Sequence, residues 1–420
     1  MYKLLGGLGQ YLKWQDITTD SMVFRLHNRF TTVLLFTCSM VITATQYVGN
    51  PISCIVQGLP THPINTYCWI TSTFTMPDAF NRQVGVEVAH PGVANDFGDV
   101  DARKYYTYYQ WVCFMLFFQV KTRLSVILHA RQIKLGRDSC ARLLSLSFPL
   151  LSSLFSSFRI GYPKLVREYE CTTAKDRSAV LCYVPQWLWN MCEGGLINAL
   201  VMGMNHSLDC EENIQKKKSM LMVYLMQYRK THNTYVYRYF GCEVLCLINI
   251  FLQLCLMNQF FDGEFLSYGL RVLSLPDVPQ EERVDPMVYI FPRVTKCIFH
   301  KYGASGTIQK HDSLCILPLN IVNEKTYIFI WFWFTILLIL LLGLIVYRAA
   351  IIFAPAIRPR LLQLSSRLPS IETCSSISKK IDLGDWWLLY ILSSNMDSLI
   401  YRDFLQELTK KMSDTYSVAA

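Results

Sequence analysis

The sequence predicts an all-α multi-pass membrane protein with four transmembrane helices, two disulfide-linked extracellular loops and helical cytoplasmic regions. Three observations carry this. Tyr327–Tyr347, YIFIWFWFTILLILLLGLIVY, holds no charge, and at ~1.5 Å per helical residue it reaches across the ~30 Å hydrocarbon core of a bilayer. Soluble helices of that length are rarely apolar on every face. The chain is 52% hydrophobic with a mean hydropathy of +0.24, too apolar for an ordinary soluble enzyme and suited to several spans alternating with polar loops. Finally, Cys54 and Cys68 fall in one polar stretch and Cys297 and Cys315 in another.

Taken in order, residues 1–29 form a cytoplasmic N-terminus. Leu4, Leu5, Leu8 and Leu12 recur at helical spacing despite Gly6, Gly7 and Gly9, which predicts a short amphipathic helix. No apolar core there is long enough for a cleavable signal peptide. Residues 30–48 are the first transmembrane helix, rich in Thr and ended by Asn50-Pro51. Residues 49–104 are the first extracellular loop. Residues 105–119, YYTYYQWVCFMLFFQ, begin a second span that stops too early, at Lys121 and Arg123. Apolar character resumes at 179–189, AVLCYVPQWLW, and the basic, Ser-rich stretch 120–178 between them reads as an atypical insertion. Residues 190–241 are a cytoplasmic loop with Lys216-Lys217-Lys218 and a helix over Leu221–Tyr228. Residues 242–261 are the third span, with Glu243 near its entry. Residues 262–325 are the second extracellular loop, residues 326–347 the fourth span, and residues 348–420 a cytoplasmic tail with an amphipathic segment, Trp386–Leu408.

Four spans put both termini on one side. The Lys and Arg runs close to the membrane make that side cytoplasmic, and they account for the net charge of +9 without any nucleic-acid-binding motif. The paired cysteines then lie outside, where disulfides form. Residue spacing alone leaves three connectivities for four cysteines. No CxxC pair occurs, so zinc has little support, and the sequence calls for no metal or cofactor. An enzyme embedded in the membrane needs His, Asp or Glu clustered at a membrane face, and none are. His311-Asp312 suggests an acid–base pair but lacks a nucleophile or metal spacing, so it reads as a surface turn. Glu243 and the span cysteines Cys38, Cys113, Cys246 and Cys255 read as packing or interface residues, with the intramembrane carboxylate worth testing. Trp187 and Trp189 read as interface anchors. The sequon Asn205-His206-Ser207 is cytoplasmic on this topology and stays bare.

At Tyr108, Tyr109, Gln110, Trp111 and Val112 the sequence YYQWV, heading the second span, resembles the signature of the innexins, the invertebrate gap-junction proteins. FRLH at Phe24–His27 and QYVGNPISC at Gln46–Cys54 are similar to the family on either side of the first span. PQWLW at Pro185–Trp189, FPRVTKC at Phe291–Cys297 and LPLNIVNEK at Leu317–Lys325 extend the likeness. It covers residues 1–119 and 179 to about 400. The resemblance implies a ring of like subunits, similar to an octamer, in the plasma membrane at gap junctions. An opposing hemichannel on the neighbouring cell docks to it, lipids surround it, and ions and small solutes pass. It implies that about Met1–Asp20 folds into the pore, where Lys3, Lys13, Asp16 and Asp20 set the potential, each multiplied by ring symmetry. It also implies the bridges Cys54–Cys315 and Cys68–Cys297, with the other eleven cysteines reduced.

Two alternatives stay within the same architecture: a non-junctional channel of pannexin-like habit, and an altered subunit that modulates or disables normal ones. The second arises from residues 120–178, which have no counterpart in the family pattern. Joining Gln119 to Ala179 restores one continuous apolar segment similar to the family's second span throughout. Codons for Val120-Lys121 can read GTNAAR, compatible with a splice donor. The stretch is therefore expected to be a retained intron or gene-model error. The structural alternatives are an insertion looping out between two half-spans, or a substitute second span running into Val120–Ala130. Either alternative sets Lys121 or Arg123 near membrane depth, at about 2.5–3.5 kcal/mol per central charge.

Overall fold

The computed structural model describes residues 17–96, 102–112, 115–116, 184–201, 203–204, 210–274, 286–366 and 369–419. Among these, three helices are long and apolar enough to cross a membrane: α1 (Met22–Val48), a 28-residue helix over Asn233–Phe260 and a 36-residue helix over Pro318–Phe353. All three begin well before the apolar runs read from sequence, because helix propagation does not stop at the edge of the bilayer. Ser21 caps α1, its Oγ accepting from Phe24 N at 3.3 Å. A π-helical turn at Leu26–Phe30 follows. The Thr hydroxyls of this span turn back onto their own helix: Thr32, Thr43 and Thr45 donate to the carbonyls of Asn28, Ser39 and Val41 at 2.6, 2.7 and 2.9 Å. Polar side chains are thereby satisfied where no water is present.

The outer loops are not irregular. After α1 come β1 (Ser53–Ile55), α2 (Thr61–Thr71), β2 (Thr73–Thr75) and β3 (Lys104–Tyr106); the second loop supplies a long hairpin, β4 (Val294–Tyr302) and β5 (Ile308–Ile316). Together they make one five-stranded antiparallel sheet in the order β1-β5-β4-β2-β3. The hairpin of one loop is thus sandwiched between strands of the other. The membrane part is all-α, but the sequence reading did not place this sheet. It also corrects two expectations. Tyr105 and Tyr106 belong to β3, so the second span cannot start at residue 105, and Tyr108–Gln110 is a 3-10 turn. His311 and Asp312 lie in β5 rather than a turn, and Asp312 takes an ion pair from Lys296 at 3.0 Å. The β4–β5 turn closes on Gly303 and Gly306: Gly306 sits at φ +81°, in the left-handed region that a side chain resists.

The helices at the other end are α3 (Val184–Glu193), α4 (Leu196–Val201) and α5 (Glu211–Gln227), followed by the long α6 (Asn233–Phe260). α7 (Phe265–Leu273) and α8 (Pro286–Ile290) return the chain to the sheet, and α9 (Pro318–Phe353) descends again. Leu317-Pro318 starts α9, with Pro in the first turn, where its missing N–H costs nothing. The tail folds into α10 (Arg358–Ser366), α11 (Ile371–Lys380), α12 (Leu383–Asn395) and α13 (Ser398–Ala419). The amphipathic segment read at Trp386–Leu408 falls on two helices, α12 and α13. Asp397 breaks it and caps α13, its Oδ1 accepting from Leu399 N at 2.9 Å. α12 is buried on nearly every face, Trp386, Trp387, Leu388 and Leu389 included, so it is a core helix of the folded tail.

At the outer end of α6 an aromatic cluster ties the layers together. Phe261 lies 4.9 Å from Tyr327 of α9, 5.4 Å from Phe291 and 5.5 Å from Tyr108, ring centre to ring centre. Such pairs contribute about 0.5–1.5 kcal/mol each beyond the area they bury.

Candidate functional site

The outer face is built on two disulfides. Cys54 of β1 and Cys315 of β5 stand opposite each other in the antiparallel register and are bonded, with Cα atoms 4.0 Å apart. Cys68 of α2 is bonded to Cys297 of β4, with Cα atoms 5.9 Å apart. One bridge therefore lies within the sheet and the other pins α2 onto it. They join residues 261 and 229 apart in sequence, and closing loops of that size restricts the unfolded chain most. The sulfurs of Cys54, Cys68 and Cys315 lie within 4.8 Å of one another, close enough to suggest a metal centre. A metal needs thiolates, and these sulfurs are spent in disulfides, Cys54 with Cys315 and Cys68 with Cys297. Cys192 is also disulfide-bonded, so the expectation that eleven cysteines stay reduced fails there; no spacing in the sequence signals it.

The YYQWV motif clamps this staple to the bundle. Tyr109 is fully buried and packs on Trp69 at 4.7 Å, its hydroxyl donating to Cys68 O at 3.4 Å. The Gln110 amide donates to Trp69 O, and the Tyr108 hydroxyl to Ile290 O in the second loop. Val112 is buried in the main core, whereas Trp111 is half-exposed. Nearby, Tyr106 donates to Tyr289 O at 3.1 Å, and burial holds its phenol above the usual range. The motif is a joint between first loop, second loop and span.

At the inner end, Glu243 of α6 and Arg348 of α9 form a bidentate pair, Nε to Oε2 at 2.8 Å and Nη2 to Oε1 at 2.9 Å. The guanidinium also lies 4.6 Å from the Trp387 ring of the tail. The chain entering α1 is fastened to this nexus. Ser21 Oγ donates to Glu243 Oε1 at 3.0 Å, and Ser21 N to the Tyr239 hydroxyl at 2.7 Å.

Of the charges expected in the pore, Lys3, Lys13 and Asp16 lie outside the described residues. Asp20 is described, and its carboxylate is turned into the subunit: its side chain is 5% exposed, with Arg29 at 3.8 Å and Gln186 Nε2 donating at 3.2 Å. Trp189, expected at the membrane interface, is buried against Tyr235 and Tyr239 and donates to Thr19 Oγ1 at 3.4 Å. Arg348 and Asn395 were missed. Arg348 carried a signal, a lone cation at the end of an apolar run opposite a lone intramembrane Glu. Asn395 carried none.

A helical membrane bundle with an oxidised, stapled outer sheet defines a multi-pass membrane protein whose outer loops are held rigid. The family model named Innexin matches residues 20–136 and 177–412. The chain is 57% identical to Innexin inx1 of Schistocerca americana and 57% identical to Innexin inx1 of Drosophila melanogaster, each across 98% of both chains. It is 41% identical to Innexin shaking-B of Drosophila melanogaster, across 98% of this chain and 95% of that one. The chain belongs to the innexin family. It is a gap-junction and hemichannel subunit of the plasma membrane that passes solutes between cells, a channel and not an enzyme.

Proposed function

We propose that the chain crosses the membrane four times and works as an octameric ring that docks on an opposing hemichannel through its stapled outer sheet. One observation carries the four-span topology: Thr18 and Asn395 are hydrogen-bonded, so the N-terminal segment and the tail share one side, which requires an even number of crossings. The disulfides put the end of α1 and both ends of the β4–β5 hairpin on the other side. On this reading the fourth crossing is the sequence between Trp111 and Val184. The flanking contacts support this. Tyr108 packs on Phe260 and Phe261 at the outer end of α6, and Trp189 on Tyr235 and Tyr239 at its inner end. Those ends lie roughly 30–40 Å apart along the helix, enough to cover the ~30 Å thickness of a hydrocarbon core.

The second span is then the two apolar pieces ending at Gln119 and beginning at Ala179, interrupted by a retained intron or gene-model error. The family match breaks within this stretch, between residues 136 and 177, although residues 120–136 fall inside it. Lys3, Lys13 and Asp16 of the N-terminal segment set the pore potential, and Asp20 anchors its base. Paired-cell recording of the chain with and without residues 120–178 tests the reading. The shortened chain should carry junctional current. Silence of both forms at normal surface levels refutes a junctional channel, and suppression of a co-expressed normal subunit identifies the full chain as a disabling variant. Transcript sequencing decides the intron: an abundant message encoding 120–178, with a conducting product, rules it out.

A further inference from the structure

The segment Ile17–Ser21 runs past the inner end of the bundle and is held residue by residue. Thr19 and Asp20 are held from α3, and Ser21 from α6. Thr18 is held from the far end of the chain. Asn395 Nδ2 donates to Thr18 O at 2.8 Å, while Asn395 Oδ1 accepts from Thr18 N at 2.6 Å. The side-chain amide thus meets both backbone groups of Thr18, as a neighbouring strand would. Asn395 is itself fixed. It is 5% exposed, its Nδ2 also donates to Ile391 O at 2.8 Å, and it closes the buried helix α12. α12 is tied at its other end to the start of α6, where Gly384 N donates to Asn233 Oδ1 at 2.7 Å and His232 Nδ1 meets Asp385 Oδ1 at 2.7 Å.

We propose that Asn395 is a positioning residue for the pore: it latches the base of the N-terminal segment to the C-terminal tail, so that movement of the tail repositions the segment that sets conductance. The proposal rests on the reading that this segment lines the pore. An amide suits the task because it donates and accepts at once. A carboxylate at the same place keeps the acceptor and loses the donor, and a leucine loses both.

The test uses the channel in excised membrane patches, with Thr18→Cys as reporter in a Cys210→Ser background. A charged, water-soluble methanethiosulfonate is applied to the cytoplasmic face. Thr18→Cys keeps the backbone groups that Asn395 holds. Adding Asn395→Leu should speed labelling at least tenfold and shift the conductance–voltage relation, with Asn395→Asp between the two. Thr18→Pro, in the same conducting channel without a reporter, deletes the N–H from the other partner and should shift the same relation even if Asn395→Leu fails to reach the surface. Unchanged labelling in Asn395→Leu and Asn395→Asp at normal surface levels, or an unchanged relation in Thr18→Pro, overturns the latch. Faster labelling with unaltered current keeps the contact and rejects the pore-lining reading, and with it the control of conductance.

Discussion

Glu243 and Arg348 face each other through two hydrogen bonds of 2.8 and 2.9 Å, with the carboxylate side chain 1% and the guanidinium side chain 8% exposed. The pair joins α6 to α9 and holds the chain entering α1. Breaking a buried pair by removing one partner typically costs about 3–5 kcal/mol, because the other charge is left stranded. Arg348→Met should therefore lower both surface expression and the unfolding temperature of the purified channel. Adding Glu243→Gln should recover much of the loss, since neither charge then remains. If Arg348→Met melts like the wild type, the pair does not hold the bundle.

The two disulfides act on the sheet and not on the spans. Cys54→Ser and Cys68→Ser should each destabilise the outer sheet by about 2–5 kcal/mol. The membrane helices, which pack through their own apolar faces, still insert. Surface biotinylation should stay near normal while paired-cell current disappears. Peptide mapping under non-reducing conditions that links Cys54 to Cys68 would falsify the sheet as described.

Gly384 sits where α12 crosses the start of α6. A methyl group there runs into the backbone of His232 and Asn233, and backbone cannot step aside as a side chain can. Gly384→Ala should loosen the tail from the bundle, seen as faster proteolysis of residues 383–419 in membranes. Gly343, in the middle of α9, has open space around its Cβ position. Gly343→Ala serves as the control and should leave the cleavage rate unchanged.

The spans were legible because a run such as Tyr327–Tyr347 has no charge to hide. Their ends were not. α9 begins at Pro318 and α6 at Asn233, since helix continues wherever backbone bonds and side-chain contacts allow. The sheet was invisible for a different reason. β1, β2 and β3 are three residues each, too short to display alternation, and they are strands only through pairing: β1 with β5, β2 with β4 and β3. The disulfide pairing came from likeness to a family and not from spacing. Asn395 could not be found at all, because its partner is the backbone of a residue 377 positions away, and backbone leaves no mark in a sequence.

Cysteine chemistry gives the last test, on the tail. Cys374 lies on the buried face of α11 and Cys210 is exposed just ahead of α5. Burial pushes the Cys374 thiol up to about 11. A thiol reacts as its thiolate, so at pH 8 only about one Cys374 in a thousand is reactive. A maleimide applied to permeabilised membranes at pH 8 should label Cys210 within minutes and leave Cys374 bare until the tail is denatured. Because the thiol is raised in the folded state, the packing it reports is fully stable below about 9, where the unfolded thiol begins to ionise. It weakens as pH climbs from there towards 11. Labelling of Cys374 should accelerate steeply over that window. Equal rates at Cys210 and Cys374 at pH 8 would show that α11 does not pack its thiol inside the folded tail.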